Sequence, residues 1–154
     1  RHVDAPMVLF PADEAFVLTT RVSAPLRHVY DVAAIVVYED ENTWAKLCFE
    51  YSVDKTAMVV SVINRGLSDD CNGPEIGADY VYYAVARKGS EYAFHWSKDG
   101  VSWHLFRHFS LETKGPVRIG FAVHGISDEN LTGTFSEIRY IAGAPKGMRT
   151  LKLP

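Results

Sequence analysis

"WAKLCFEY", Trp44 to Tyr51, is the stretch on which the fold turns. Taken with the preceding Asp-Glu-Asn-Thr it has the propensity of a helix. Its pattern argues otherwise. Ala45, Leu47, Phe49 and Tyr51 fall on one side, and Trp44, Lys46, Cys48 and Glu50 on the other. A period of two, rather than 3.6, marks a half-buried strand. The neighbours agree. "AFVLTTRVS" puts Phe16, Leu18, Thr20 and Val22 on one side, and "PVRIGFAVH" sets Val117, Ile119, Phe121 and Val123 against Arg118, Gly120, Ala122 and His124. "DVAAIVVYE" is nearly continuous in apolar residues, as a central strand covered on both faces would be. "AMVVSVIN" and "YVYYAVARK" extend the series, with "RGLSDDCNGPEIG" between them reading as a loop from its Gly, Pro, Asn and Asp content. In "TGTFSEIRYIAG", Phe135 and Ile138 differ in parity, which predicts a bulge. Some eight or nine strands separated by turn signals imply an all-β sandwich or barrel.

The stretch "FHWSKDGVSWHLFRHF", Phe94 to Phe109, concentrates three histidines and two tryptophans. Asp99-Gly100 is a strong hairpin signal, because Gly accepts positive φ and Asp bonds its own backbone. Parity then groups Tyr92, Phe94 and Trp96 on one face, and Trp103, Leu105, Arg107 and Phe109 on another, with His104, Phe106 and His108 turned away. On a strand, His104 and His108 stand roughly 13 Å apart. A single zinc with bonds near 2 Å does not span that gap. A metal there would need His95 or His124 brought in by tertiary folding.

The 154 residues suit one domain, expected to span 1–154 with a core over about 15–141 and a tail over 142–154. Such a chain buries roughly 70% of its unfolded surface without staples. The net charge is −3 with both signs dispersed, and no basic stripe appears, so a nucleic-acid partner is not expected. No apolar run approaches the roughly 18 residues of a membrane span, and no signal peptide is visible at the start. The start at Arg1, without methionine, fits processing or trimming of an upstream segment. Cys48 and Cys71 are expected as reduced thiols in a cytoplasmic protein.

With those residues in view, the chain resembles a concanavalin A-like domain family that includes the fungal regulation-of-enolase protein and bacterial relatives. The resemblance runs from about Ala15 to Ile141. It rests on Asp31, Ala33 and Val36, then Trp44, Lys46 and Glu50, then Arg87-Lys88-Gly89, then Ser97, Asp99, Gly100 and Trp103, and finally Gly120-Phe121. Where the family often has Gln-Ala-Gly after the first Asp, this chain has Val32-Ala33-Ala34. The resemblance implies a jelly roll of two antiparallel sheets with one concave face. It implies no assigned activity.

Three chemistries have candidate residues. Trp44, Lys46 and Glu50 share a strand face, offering a ring, a donor and an acceptor, as sugar sites do. Arg87 and His95 are expected to extend that surface from other strands. The plainer account is an exposed face carrying a Lys-Glu pair under Trp44. For catalysis, retaining glycosidases place carboxylates about 5 to 5.5 Å apart across a cleft. No Glu-x-Asp-x-Glu occurs, Glu50 lacks a carboxylate at Cys48 or Ser52, and no Gly-x-Ser-x-Gly elbow is present. For calcium, Asp40–Asn42 and Asp128–Asn130 put Asp-Glu-Asn in turns, a composition that also stabilises turns unaided. The expectation is a non-catalytic, cofactor-free domain, structural calcium being the alternative, that binds carbohydrate or a small metabolite on its concave face. A protein-interaction or regulatory domain is the second reading and a glycoside hydrolase the third.

Overall fold

The computed structural model describes residues 5–127 and 129–154. Its strands in chain order are β1 (Met7–Pro11), β2 (Ala15–Ser23), β3 (Val32–Asp40), β4 (Thr43–Tyr51), β5 (Ala57–Arg65), β6 (Ser68–Glu75), β7 (Tyr80–Lys88), β8 (Glu91–Ser97), β9 (His104–Ser110), β10 (Arg118–His124) and β11 (Thr134–Ala142). They form two antiparallel sheets, ordered β1-β10-β3-β4-β5-β6 and β11-β2-β7-β8-β9. Of the sandwich and the barrel that the alternation allows, this is the sandwich, in the jelly-roll arrangement that the resemblance implies. Among the described residues no helix is long and apolar enough to cross a membrane.

The period-two faces meet in one core. Ala45, Leu47 and Phe49 of β4 are fully buried, as are Phe16 and Leu18 of β2, Ile35 of β3, Tyr83 and Val85 of β7, Tyr92 and Phe94 of β8, and Ile119 of β10. Such burial of apolar area between sheets is the main favourable term in a sandwich. Polar links also join the sheets: Arg107 of β9 donates to Ser61 of β5 at 3.1 Å, and a second link starts from a buried tyrosine. Tyr83 donates its hydroxyl to the Cys48 carbonyl at 2.6 Å, fixing β7 of one sheet against β4 of the other. A buried donor with a partner is retained; without one it costs about 1 to 3 kcal/mol. Tyr83→Phe removes the donor and with it this link between sheets. The expected loss is about 1 to 2 kcal/mol in urea unfolding, with the slope unchanged. An unchanged midpoint would show that the link contributes nothing.

Two local readings are corrected and two stand. The "loop" over Ser68–Glu75 is the edge strand β6, paired with β5 from Ser68↔Asn64 to Glu75↔Met58. An edge strand leaves one row of backbone groups to solvent, so it tolerates the Asp, Asn, Gly and Pro that argue for a loop. Pro74 sits where the register slips between Met58 and Val60. In the hairpin, Gly100 takes φ +76° and Asp99 accepts from the Val101 and Ser102 amides, as the turn signal implies. Tyr92, Phe94 and Trp96 share the core face as grouped, but the grouping on the second strand fails. A register shift opposite Phe94 and His95 skips Phe106, so Phe106 and Phe109 turn to the main core while Trp103 and Leu105 pack on the outer face. The bulge expected in the last strand is present between Ser136 and Arg139, with Glu137 at φ +51°.

The tail folds back rather than trailing away. A Gly147↔Lys152 bridge closes it, and Leu151 packs with Val17, Ala84, Ala86 and Ala93 on the outer face of the five-stranded sheet. The two thiols are free and belong to different faces: Cys48 stands opposite Ala34 and Val60, while Cys71 stands opposite Ser61, in the row of core residue Leu47. Asp31, buried, accepts the Arg27 and His28 amides at 3.0 Å each and so ties the loop that enters β3.

Candidate functional site

The outer face of the six-stranded sheet is a grid set by register. One cross-strand row reads Arg118, Tyr38, Trp44, Asn64, Ser68. The next reads Leu9, Gly120, Val36, Lys46, Val62, Asp70. The third reads Met7, Ala122, Ala34, Cys48, Val60, Asn72. The last reads His124, Val32, Glu50, Met58, Glu75. Small residues fill the middle: Gly120, Ala122, Ala34, Val36 and Cys48 are buried. Long polar and aromatic residues stand around them. The result is a cleft of ≈ 590 Å³ whose lining includes Tyr30, Tyr38, Trp44, Lys46, Glu50, Asn64, Asp70 and His124 over a floor of Val32, Val36 and Cys48. That volume falls within the usual range for small-molecule sites.

Trp44 is held by its edge. Its indole N–H donates to the Glu41 carbonyl at 3.3 Å, and the Asn64 amide donates to the same oxygen at 3.4 Å. The Lys46 ammonium lies 5.0 Å from the indole centroid, within cation–π range. Arg118 lies 5.2 Å from the Tyr38 ring at the same end of the grid. Among the described residues no ion pair joins Lys46 to Glu50 or Asp70. The Lys-Glu pair of the plainer account is therefore not formed, and both groups face the cleft with hydrogen-bonding capacity to spare.

The cleft shifts the proton affinity of what lines it. Burial, and then the Asp70 carboxylate, push Glu50 up to about 7 from its usual 4.5; Lys46 opposes them. Burial, and then the charge of Glu50, raise the Cys48 thiol strongly. Cys48 stays protonated at neutral pH and is no nucleophile.

Trp44, Lys46 and Glu50 thus come together as the strand parity predicts. Arg87 and His95 do not join them, which corrects the expected extension: both stand in the other sheet. Arg87 is buried, donates to the Gly89 and Asp13 carbonyls at 2.9 Å each, and lies 5.6 Å from the Tyr92 ring centroid. Its role is to pin the β7–β8 turn to the loop before β2. His95 lies under the tail, its Nε2–H donating to the Met148 carbonyl at 2.7 Å. Burial lowers its proton affinity. His104 stacks on Trp96 with centroids 4.6 Å apart, and His108 Nε2 lies 2.6 Å from Glu91. Among the described residues no three His, Cys, Asp or Glu side chains are grouped to hold a metal. At the first Asp-Glu-Asn turn, Asp40 accepts the Asn42 amide at 2.8 Å; the second turn includes Asp128, outside the described residues. Tyr38, Asn64, Asp70 and His124 join the site without having been expected there. Strand parity places Tyr38 and His124 on the same face as Trp44 and Glu50 once the strands are paired, and could have found them. Asp70 lies in the segment whose composition reads as a loop.

The fold has known counterparts. A functionally unknown protein of Saccharomyces cerevisiae is 29% identical, with 92% of this chain covering 74% of that one at a TM-score of 0.79. The GH43 protein BlXynB of Bacillus licheniformis is 20% identical over 90% of this chain and 30% of its own, at a TM-score of 0.79. CG-16, a homodimeric agglutinin from chicken liver, is 8% identical over 88% of this chain and all of its own, at 0.55. The last two likenesses concern the fold alone. No curated protein sequence matches the chain. Residues 1–142 match the family described as "Protein of unknown function (DUF1349)", and the chain belongs to that family.

Proposed function

We propose that the cleft around Trp44, Lys46 and Glu50 binds carbohydrate or a small polar metabolite, and that the domain is a binding module rather than an enzyme. The observation that carries this reading is the pinned Trp44 ring beside a lysine and a carboxyl group that leave each other unpaired, in a cleft of ligand size. A sugar presents C–H faces to a ring and hydroxyls to such groups. The agglutinin and the GH43 protein share the fold alone, so the class of ligand rests on the ring, the lysine and the carboxyl group of the cleft. The cleft offers no thiolate, and its carboxyl groups come from the β3–β4 turn, β4 and β6: Glu41, Glu50 and Asp70.

The test is a thermal-shift screen of neutral and charged oligosaccharides, followed by calorimetry on whatever stabilises the protein. Occupancy at a hundred times Kd adds about 2.7 kcal/mol to stability. Trp44→Ala is expected to weaken binding at least about tenfold, the worth of one well-packed aromatic contact. If no sugar shifts the midpoint at millimolar concentration, the reading falls. A second reading, a protein-interaction domain acting in carbohydrate metabolism as the enolase-regulator resemblance implies, is favoured by Leu67, 85% exposed at the rim of the same cleft. Leu67→Ser would abolish capture of such a partner while leaving sugar binding in place.

A further inference from the structure

The charges lining the cleft are unbalanced. Glu41, Glu50 and Asp70 supply carboxyl groups, against the Lys46 ammonium, which lies over Trp44, and the His124 imidazole. Arg118 shares the sheet face but is directed onto Tyr38 and does not line the cleft. Asp70 is exposed on edge strand β6 and shares a cross-strand row with Lys46, with Val62 between them. Two strand spacings of about 4.8 Å separate their backbones, and no ion pair closes that gap among the described residues. A ligand lying across Val62 would therefore touch a lysine on one side and a bare carboxylate on the other.

Resting on the carbohydrate reading, we infer that the cleft selects uncharged sugars over their acidic counterparts, and that Asp70 is the residue that determines this preference. A uronate or sugar phosphate carries its own negative charge into a space walled by carboxylates. Because Asp70 is exposed, that repulsion acts partly through solvent and is sensitive to salt. That Asp70 acts across the cleft is visible on Glu50, whose proton it helps to retain. Lys46 offsets this only in part, because one ammonium stands against the carboxyl groups of Glu41, Glu50 and Asp70. A neutral hydroxyl meets no such repulsion. It donates to Asp70 or Glu50 and accepts from Lys46, and both halves of that exchange suit a neutral polyol.

The experiment is calorimetry at pH 8 and low ionic strength with cellobiose, lactose and mannobiose, each against the same disaccharide oxidised to a C6 carboxylate. The neutral form is expected to bind at least tenfold more tightly. Asp70→Asn should bring that ratio below threefold through a gain in affinity for the carboxylate form. Added salt should narrow the ratio in the native protein as well. A carboxylate form that binds as tightly as the neutral one, or a ratio untouched by Asp70→Asn, overturns the inference and leaves the carbohydrate reading standing. If neither form of any of these sugars binds, both fall.

Discussion

Glu50→Gln is expected to stabilise the protein above neutral pH and to leave its stability in acid unchanged. The reason is linkage. In the folded chain Glu50 holds its proton up to about pH 7, against 4.5 for an ordinary glutamate. Between those values the folded state binds more protons than the unfolded one, so stability falls as pH rises from about 4.5 towards 7 and levels off beyond. The contribution is therefore fully present in acid and lost above neutrality. A tenfold change in proton affinity corresponds to about 1.4 kcal/mol. Solvent at the cleft mouth screens part of this, so roughly 2 kcal/mol is the realistic cost of ionising Glu50. The uncharged amide of Gln avoids that cost. Melting of the two proteins should coincide near pH 4.5 and diverge by about 4 to 8 °C at pH 8, with the variant higher. A constant offset across that range would show that Glu50 is not the titrating group, and a variant less stable at pH 8 would reverse the sign of the effect.

How much of this is legible in the sequence follows from what each feature depends on. The strand at Trp44–Tyr51 depends on local alternation, and its grouping of Trp44, Lys46 and Glu50 survives intact. The turn at Asp99-Gly100 depends on two residues and also survives. Failures begin where a second strand matters. The Phe106 bulge exists because β9 must meet β8 in register, and parity counted along β9 alone passes straight over it. Alternation tells which side of a strand a residue takes, but not which sheet the strand enters, so nothing local separates Arg87 and His95 from the cleft. Strand β6 escapes notice because composition reports what a segment tolerates, and an edge tolerates much of what a loop does. With β6 goes Asp70, the residue whose charge most alters the electrostatics around Glu50.

Gly120→Ala tests the architecture behind the cleft, and its expected effect is larger still. Gly120 lies in β10, buried, opposite Leu9 of β1 and Val36 of β3. A methyl group there would lie 1.8 Å from the Val8 carbonyl oxygen, 2.8 Å from its carbon and 2.9 Å from the Leu9 Cα. All three are backbone, so no rotamer change relieves the clash. The five-residue edge strand β1, which pairs with β10 alone, has to shift or detach. Detachment would strip Phe10 from the core and Met7 from the cleft lining. Overpacking of a tight site ordinarily costs about 1 to 3 kcal/mol, and a displaced strand adds to that, so a loss of about 3 kcal/mol is expected in urea unfolding. Hydrogen exchange should show the damage locally, with the amides of β1 losing protection while those of β4 keep theirs. Gly77→Ala is the control: nothing lies within 4 Å of its would-be methyl, and its stability should stay within about 0.5 kcal/mol of the native protein. If Gly120→Ala melts with that control, β1 does not lie against β10 as described. The wall it gives to the cleft, and any ligand contact there, would have to be drawn again from the four central strands outward.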